Sequence, residues 1–245
     1  MATYVLVHGG GHGGWCYQPV ARGLRAQGHE VHAPSLTGCG DRQHLFRSDV
    51  DLECHITDVT NLVEFEDLRD VILVGHSYGG MVITGVADRA PDRIGHLVYL
   101  DAATPTNGQS LADLAGRAMF FARANSRIVD GVELCLFPTE ETIPIYGVVD
   151  SETVDWMRPR LTPQPWRCFE QPLNLTNEEA LAKIPQSHIN STMFLSSRDV
   201  DHIRAISDGR MWDLDTGHDM MITEPKWVAE KLLLVASLAE GAARQ

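Results

Sequence analysis

Residues 71–80 read VILVGHSYGG and contain the pattern Gly-x-Ser-x-Gly from Gly75 to Gly79. An apolar run at 71–74 precedes the pattern, and a run with helical spacing begins at Met81. Glycines at these positions allow a sharp turn from strand to helix that presents the central serine above the edge of a sheet. The stretch therefore predicts an α/β fold in which Ser77 is a nucleophile.

The rest of the chain alternates between short β-branched runs and amphipathic runs. The strand-like runs are residues 4–7, 30–33, 71–74, 97–100, 192–195 and 210–214, and the helix-like runs are 17–26, 54–65, 81–90 and 225–239. Such alternation is typical of a parallel sheet covered by helices on both faces. We expect three layers around a mostly parallel sheet of about six strands.

One long segment breaks this alternation. It is rich in proline and aromatic residues and has no buried-strand pattern, so we expect a single domain with a core of 1–105 and 188–245 and an inserted, mainly helical cap at about 106–187. A cap over the strand ends would exclude water and shape an apolar pocket. The side chains that we expect to line the pocket are His12, Phe120, Phe121, Phe137 and Trp156, although the aromatic ones could equally form the core of the cap itself.

The 245 residues carry a formal net charge of −13, which disfavours nucleic acid and anionic membrane surfaces as partners. Five cysteines at irregular spacing, without a Cys-x-x-Cys pair, indicate free thiols in a reducing compartment. The opening MATYVLVHGG has neither a basic region nor a long apolar run. We therefore expect a cytoplasmic protein that acts on a small molecule, with no membrane association.

A serine nucleophile needs a base and an acid, which in this fold follow it in the order acid, then histidine. His218 lies between the last predicted strand and the last predicted helix, where a loop could carry it over Ser77. Asp199 follows the run 192–195 and is the expected acid, with Asp201 and Asp101 as alternatives. The predicted triad is thus Ser77, Asp199 and His218.

Acyl transfer also needs two N–H donors for the oxyanion of the intermediate. Tyr78, directly after the nucleophile, should provide one, and Gly10 in the glycine-rich loop after the first strand should provide the other. The same loop matches the dinucleotide pattern Gly-x-Gly-x-x-Gly, but the second strand ends at Pro34-Ser35 without an acidic residue for a ribose. We expect neither a cofactor nor a metal ion.

Three stretches resemble one known family: VLVHGGGHGGWC at 5–16, GHEV at 28–31 and VILVGHSYGGM at 71–81. They are similar to the α/β-hydrolases that include plant methyl-ester esterases, hydroxynitrile lyases and bacterial esterases, and the likeness covers residues 1–105 and 192–239. The resemblance implies carboxylic ester hydrolysis without a cofactor through an acyl-enzyme, on a small apolar or aromatic substrate. It also implies a possible homodimer.

Two other functions stay open for such a chain. Hydroxynitrile lyases of this family carry a threonine after the first-loop histidine and a lysine beside the catalytic histidine, whereas this chain has Gly9 and Asp219 there. Without that cation a departing cyanide would lose its stabilising charge, which favours the esterase hypothesis. A hydrolase-like binding protein for a small molecule is the second alternative, because a fold does not fix a function.

Overall fold

A computed structural model describes residues 1–137, 143–196 and 198–242, and within these ranges the side chains of 117, 118, 121, 145 and 240–242 are not described. The described chain forms nine strands in two sheets. The strands are β1 (Thr3–Val7), β2 (Glu30–His32), β3 (Val71–His76), β4 (Ile94–Leu100), β5 (Arg127–Val129), β6 (Val132–Cys135), β7 (Gln164–Pro165), β8 (Gln186–Ser191) and β9 (Met211–Leu214).

The main sheet has six strands in the order β2-β1-β3-β4-β8-β9, and each neighbouring pair is parallel. Strand β3 lies between β1 and β4, and all six of its residues are buried. A parallel strand that is covered on both faces needs apolar residues at nearly every position, which explains the continuous run VILV. The carboxyl ends of all these strands share one edge, where the nucleophile and its partners are expected.

Helices cover both faces of the main sheet. The helices are α1 (Gln18–Ala26), α2 (Leu52–Phe65), α3 (Gly79–Arg89), α4 (Leu111–Ala124), α5 (Ile143–Tyr146), α6 (Ser151–Met157), α7 (Arg167–Glu170), α8 (Glu178–Leu181), α9 (Thr192–Leu195), α10 (Val200–Ile206), α11 (Met220–Thr223) and α12 (Pro225–Ala242), with 3-10 turns at Gly14–Tyr17, Gly40–Leu45, Pro91–Arg93 and Arg158–Arg160. Helices α1, α11 and α12 pack on one face, and α2 and α3 pack on the other. This confirms the expected three layers.

The segment between β4 and β8 holds helices α4 to α8, and it also holds a small antiparallel sheet in the order β5-β6-β7. No hydropathy pattern indicated this second sheet, because β5 is exposed at all three positions and β7 has only two residues. Strand β8 joins the main sheet from Gln186 onward, just ahead of the expected boundary at 188.

The prediction of a strand at 192–195 is wrong, because those residues form helix α9. The strand in this region is β8, Gln186–Ser191. Strand β8 is buried but polar, which hides it from a hydropathy pattern. Two of its polar side chains have partners: Ser187 Oγ lies 2.8 Å from His96 Nε2, and Asn190 Nδ2 donates to Asp213 Oδ1 at 2.9 Å. Pairing of this kind lowers the cost of burying Ser187 and Asn190 inside the sheet.

No helix within the described ranges is both long enough and apolar enough to cross a membrane.

Candidate active site

Ser77 occupies a tight turn between β3 and α3. Its φ is +54°, a left-handed conformation that a non-glycine residue rarely adopts. A Cβ at Gly75 would lie 2.6 Å from the carbonyl oxygen of Gly79, and a Cβ at Gly79 would lie 2.6 Å from that of Val7. Only glycine fits at either place, so the glycines of the motif allow the turn that presents Ser77 at the strand end.

The glycine-rich loop after β1 passes directly over this turn. A Cβ at Gly9 would lie 2.9 Å from the Cβ of Ser77 and 2.8 Å from Nδ1 of His76. The backbone at Gly9 is therefore in close contact with Ser77. Gly10, the expected oxyanion donor, is the next residue along this loop. Tyr78 follows the serine at the start of α3, and its hydroxyl lies 2.9 Å from Nδ1 of the buried His55. Both expected oxyanion donors thus belong to backbone next to Ser77.

His218 lies in the loop between β9 and α11. Its ring centroid is 4.5 Å from that of His76, the residue before Ser77, and its carbonyl oxygen accepts a hydrogen bond from His76 Nε2 at 3.0 Å. Its Nδ1 lies 2.6 Å from Oδ2 of Asp101, to which it donates. The side chain keeps 16% exposure. The imidazole is therefore held at the end of β3 with one nitrogen on a carboxylate.

Asp101 follows the last residue of β4, the strand beside β3, and its φ is +44°. Its amide donates to Ile189 O at 2.7 Å, and its Oδ1 accepts from Ser191 N at 3.2 Å and from Arg198 Nη2 at 2.8 Å. Burial opposes ionisation, but the hydrogen bond and charge of His218, with the charge of Arg198, hold the pKa of Asp101 below its ordinary value. A buried, ionised carboxylate thus faces His218.

Asp199, the expected acid, is not brought to His218. Its carboxylate caps helix α10, where Oδ1 accepts from His202 N at 3.0 Å. Asp201 has a side chain that is 98% exposed. The physical reason for the difference is the early end of β8 at Ser191, since helix α9 then carries the chain away before Asp199 is reached.

Helix α9 brings a different side chain to the histidine. The ring of Phe194 meets that of His218 edge to face, with centroids 5.4 Å apart. The segment after β8 therefore contributes an apolar wall beside the imidazole, while the end of β4 contributes the carboxylate.

A second charged pair lies behind the histidine loop. His12 Nδ1 lies 2.8 Å from Gly10 O, and His12 Nε2 lies 3.0 Å from Asp219 Oδ2. Both partners can only accept, so both ring nitrogens of His12 carry a proton and the ring is an imidazolium. Burial alone would lower the pKa of His12, but the charge of Asp219 and the hydrogen bonds raise it above its ordinary value. The pair connects the glycine-rich loop to the loop of His218.

The carboxylate of Asp219 is ionised, whereas the neighbouring imidazole of His76 is neutral. Burial opposes the ionisation of Asp219, but the charge of His12 and its hydrogen bond keep the pKa of this carboxyl below its ordinary value. Burial, reinforced by the charge of His218, lowers the pKa of His76 to about 3, so His76 is neutral. Sequence reasoning noted Asp219 only as a departure from the lyases and missed its pairing with His12.

The expected pocket residues lie in several environments. Phe137 packs against the glycine-rich loop, because a Cβ at Gly10 would lie 3.4 Å from its ring and 3.2 Å from the ring of Phe169. Phe120 is 71% exposed, and the side chain of Phe121 lies outside the described part of the structure. The other two expected residues are His12, which is buried against Asp219, and Trp156, whose ring meets that of Trp15.

The glycine-rich loop is also fastened to the segment between β4 and β8. Gly11 N donates to Gln164 Oε1 at 3.0 Å, and Thr162 N donates to Gly11 O at 2.8 Å. These bonds fix the segment that carries Phe137 above the loop that carries Gly10.

The model of the Alpha/beta hydrolase family matches residues 4–231. The chain belongs to this family. The resemblance drawn from the sequence motifs is thereby confirmed, and the six-stranded sheet with helices on both faces is the α/β-hydrolase fold.

Relatives of this α/β-hydrolase include enzymes named as esterases. The chain is 39% identical over 247 residues to the carbendazim hydrolyzing esterase of Nocardioides sp. (strain SG-4G), a match that covers 95% of this chain and 98% of that protein. It is 37% identical over 112 residues to a putative chloroplastic methylesterase 11 of Arabidopsis thaliana, which covers 45% of this chain and 29% of that protein.

A solved structure agrees over nearly the whole chain. An extracellular alpha/beta-hydrolase from a Paenibacillus species, described as sharing structural and functional homology with tobacco salicylic acid binding protein 2, superposes with a TM-score of 0.81 at 26% identity. The superposition covers 95% of this chain and 98% of that one.

Proposed function

We propose that this α/β-hydrolase is a serine-dependent carboxylic ester hydrolase in which Ser77 is the nucleophile, His218 the base and Asp101 the acid. The observation that carries the proposal is the placement of these groups at the ends of two neighbouring strands. Ser77 sits on a strained turn after β3, and the His218–Asp101 hydrogen bond of 2.6 Å lies at the ends of β3 and β4. The relatives named as esterases support the same reaction.

In this proposal, the hydrogen bond to Asp101 keeps a proton on Nδ1 of His218. The other ring nitrogen, Nε2, is then free to accept the hydroxyl proton of Ser77. Ser77 Oγ attacks the ester carbonyl, and the resulting oxyanion accepts from the amides of Gly10 and Tyr78. His218 then donates its proton to the departing alcohol, and the acyl group remains on Ser77 as an acyl-enzyme. Water, deprotonated by His218, then attacks the acyl carbon; the bond from this carbon to Ser77 Oγ breaks, His218 returns the proton to Ser77 Oγ, and the acid is released.

We further propose that the substrate is a small ester with an apolar or aromatic group. The rings of Phe137 and Phe169 stand over Gly10, where the carbonyl of a bound ester would lie. Residues 106–187 would form the cap that shields this site. The carbendazim hydrolyzing esterase, as a relative, makes carbendazim a reasonable member of the substrate panel.

Two features of the setting belong to the same proposal. All five cysteines are free, which supports the cytoplasm as the compartment. A homodimer is the proposed assembly on family grounds, and light scattering of the purified protein tests it.

The test compares wild type, Ser77→Ala and Ser237→Ala on short and medium p-nitrophenyl esters, with intact mass after reaction with a fluorophosphonate. Ser237 is an exposed serine of α12 whose hydroxyl donates to Leu233 O, and it controls for the change itself. We expect turnover and one adduct in wild type and Ser237→Ala, and neither in Ser77→Ala. Folded wild-type protein without turnover or adduct would refute the esterase and favour a binding protein.

A further inference from the structure

The carboxylate of Asp101 has a charged partner besides His218. Arg198 donates through Nη2 to Asp101 Oδ1 at 2.8 Å and through Nη1 to Ala102 O at 2.9 Å. The side chain of Asp101 is fully buried and that of Arg198 is 16% exposed. One guanidinium therefore holds both the carboxylate and the backbone that follows it.

The two oxygens of Asp101 are divided between the imidazole of His218 and the guanidinium of Arg198. Oδ2 accepts from His218 Nδ1, and Oδ1 accepts from Arg198 and from Ser191 N. A guanidinium stays charged at every pH at which a protein is folded. Arg198 thus takes part of the negative charge that would otherwise act on His218 alone, and its own charge repels a second positive charge on that ring.

We propose that Arg198 is a positioning residue that orients Asp101 toward His218 and extends catalysis to lower pH. This inference rests on the proposed function, because it requires Asp101 and His218 to act on Ser77. It assigns a role to the segment after β8 that differs from the expected one: the segment supplies the cation that holds the acid.

The other groups around His218 are neutral, apolar or already paired with an opposite charge. His76, from β3, is neutral with its pKa lowered to about 3 by burial and by the charge of His218. Asp219, beside His218 in the chain, is paired with the imidazolium of His12 from the glycine-rich loop, so the two charges offset each other. Phe194, from α9, is apolar.

Histidines also lie near Arg198 itself. His188 on β8 has its pKa lowered to about 3 by burial and by the charges of Arg198 and His202, so it is neutral at the pH of the assay. Within the described ranges, Arg198 is the permanent cation that contacts Asp101. His188, being neutral, adds no charge to that of Arg198.

The test measures kcat/KM against pH for wild type, Arg198→Met, Arg198→Lys and Arg204→Met. Loss of the cation favours the protonated, inactive imidazole, so the acidic limb of Arg198→Met should move up by about one pH unit. Arg198→Lys keeps the charge, and its limb should stay within about 0.3 pH unit of wild type. Arg204 on α10 is 59% exposed and forms an ion pair with Asp201 at 3.7 Å, which makes it the matched control.

A limb in Arg198→Met that coincides with wild type, or an equal shift in the lysine and methionine variants, would overturn the proposal. Arg198→Gln makes the same neutral change with a polar side chain and replaces Arg198→Met if the latter does not fold. Fluorophosphonate labelling of Ser77 in wild type separates failure of the proposed function from failure of the role of Arg198. Absence of labelling refutes the proposed function. Labelling together with an unchanged acidic limb in Arg198→Met refutes only the role of Arg198.

Discussion

Asparagine at position 101 should remove the acid while it preserves the backbone. Asp101 has a φ of +44°, and asparagine tolerates this left-handed conformation as well as aspartate does. The amide would be oriented by its surroundings, because Ser191 N and Arg198 Nη2 both donate to Oδ1 and require an oxygen there. The amide NH2 group must then face Nδ1 of His218.

The orientation of this amide determines the size of the effect. With a donor facing it, Nδ1 of His218 must accept, so the ring proton moves to Nε2, the nitrogen that should take the proton of Ser77. The expected loss in kcat is about 10,000-fold, the order associated with a triad histidine in the wrong tautomer. It corresponds to about 5.5 kcal/mol in the activation free energy.

Asp199→Asn is the matched control for this change. Asparagine caps a helix as well as aspartate does, so the bond to His202 N persists and stability should change by less than about 0.5 kcal/mol. Steady-state hydrolysis of p-nitrophenyl butyrate and thermal unfolding of both variants provide the data. If Asp199→Asn lost activity to the extent expected for Asp101→Asn, while the latter stayed within about tenfold of wild type, the acid would be Asp199.

Three further predictions address the surroundings of the site. Asp219→Asn breaks the buried pair with His12 and should lower the free energy of unfolding by about 3–5 kcal/mol at pH 7. Because the folded pKa of Asp219 lies below its ordinary 3.8, its stabilisation is present above that pH and is lost as the pH falls through the folded value. Urea unfolding at pH 7 and pH 3 should therefore show a smaller loss of stability at low pH in the variant than in wild type. Gly9→Ala should abolish esterase activity because its Cβ would lie 2.9 Å from that of Ser77, whereas Gly23→Ala, whose Cβ would meet its neighbour at an ordinary 3.4 Å, should keep full activity in the same assay. Phe137→Ala should raise KM for a phenyl ester more than for an acetate of a small alcohol, and equal changes for the two substrates would argue against a wall of the pocket.

The tight turn at Ser77 could be predicted because its determinants are local. Glycines at 75 and 79 are required by contacts within a few residues or with the adjacent strand, and the run VILV is dictated by burial on both faces of β3. The position of His218 could be predicted for a similar reason, since it lies in a short loop between the last strand and the helices that follow.

The carboxylate at His218 could not be located in the same way, because its identity depends on where β8 ends. Residues 192–195 have the composition of a strand but form helix α9, whereas the actual strand is polar and buried. Two of its side chains, Ser187 and Asn190, pair with His96 and Asp213, which are distant in sequence. A pattern read along one segment cannot reveal partners on another, so Asp101 could only be kept as an alternative to Asp199.

The pair of His12 and Asp219 determines how late the site can be assembled during synthesis on the ribosome. Its two members lie on the first loop and on the segment just before the last long helix, 207 residues apart. Contacts between such distant residues form late, because much of the chain must be ordered before they meet. A nascent chain that has already made the turn at Ser77 therefore still lacks both His218 and the bridge that holds its loop. In the proposed mechanism such a chain could not hydrolyse esters until residues 218 and 219 have been synthesised and have folded back onto the first loop.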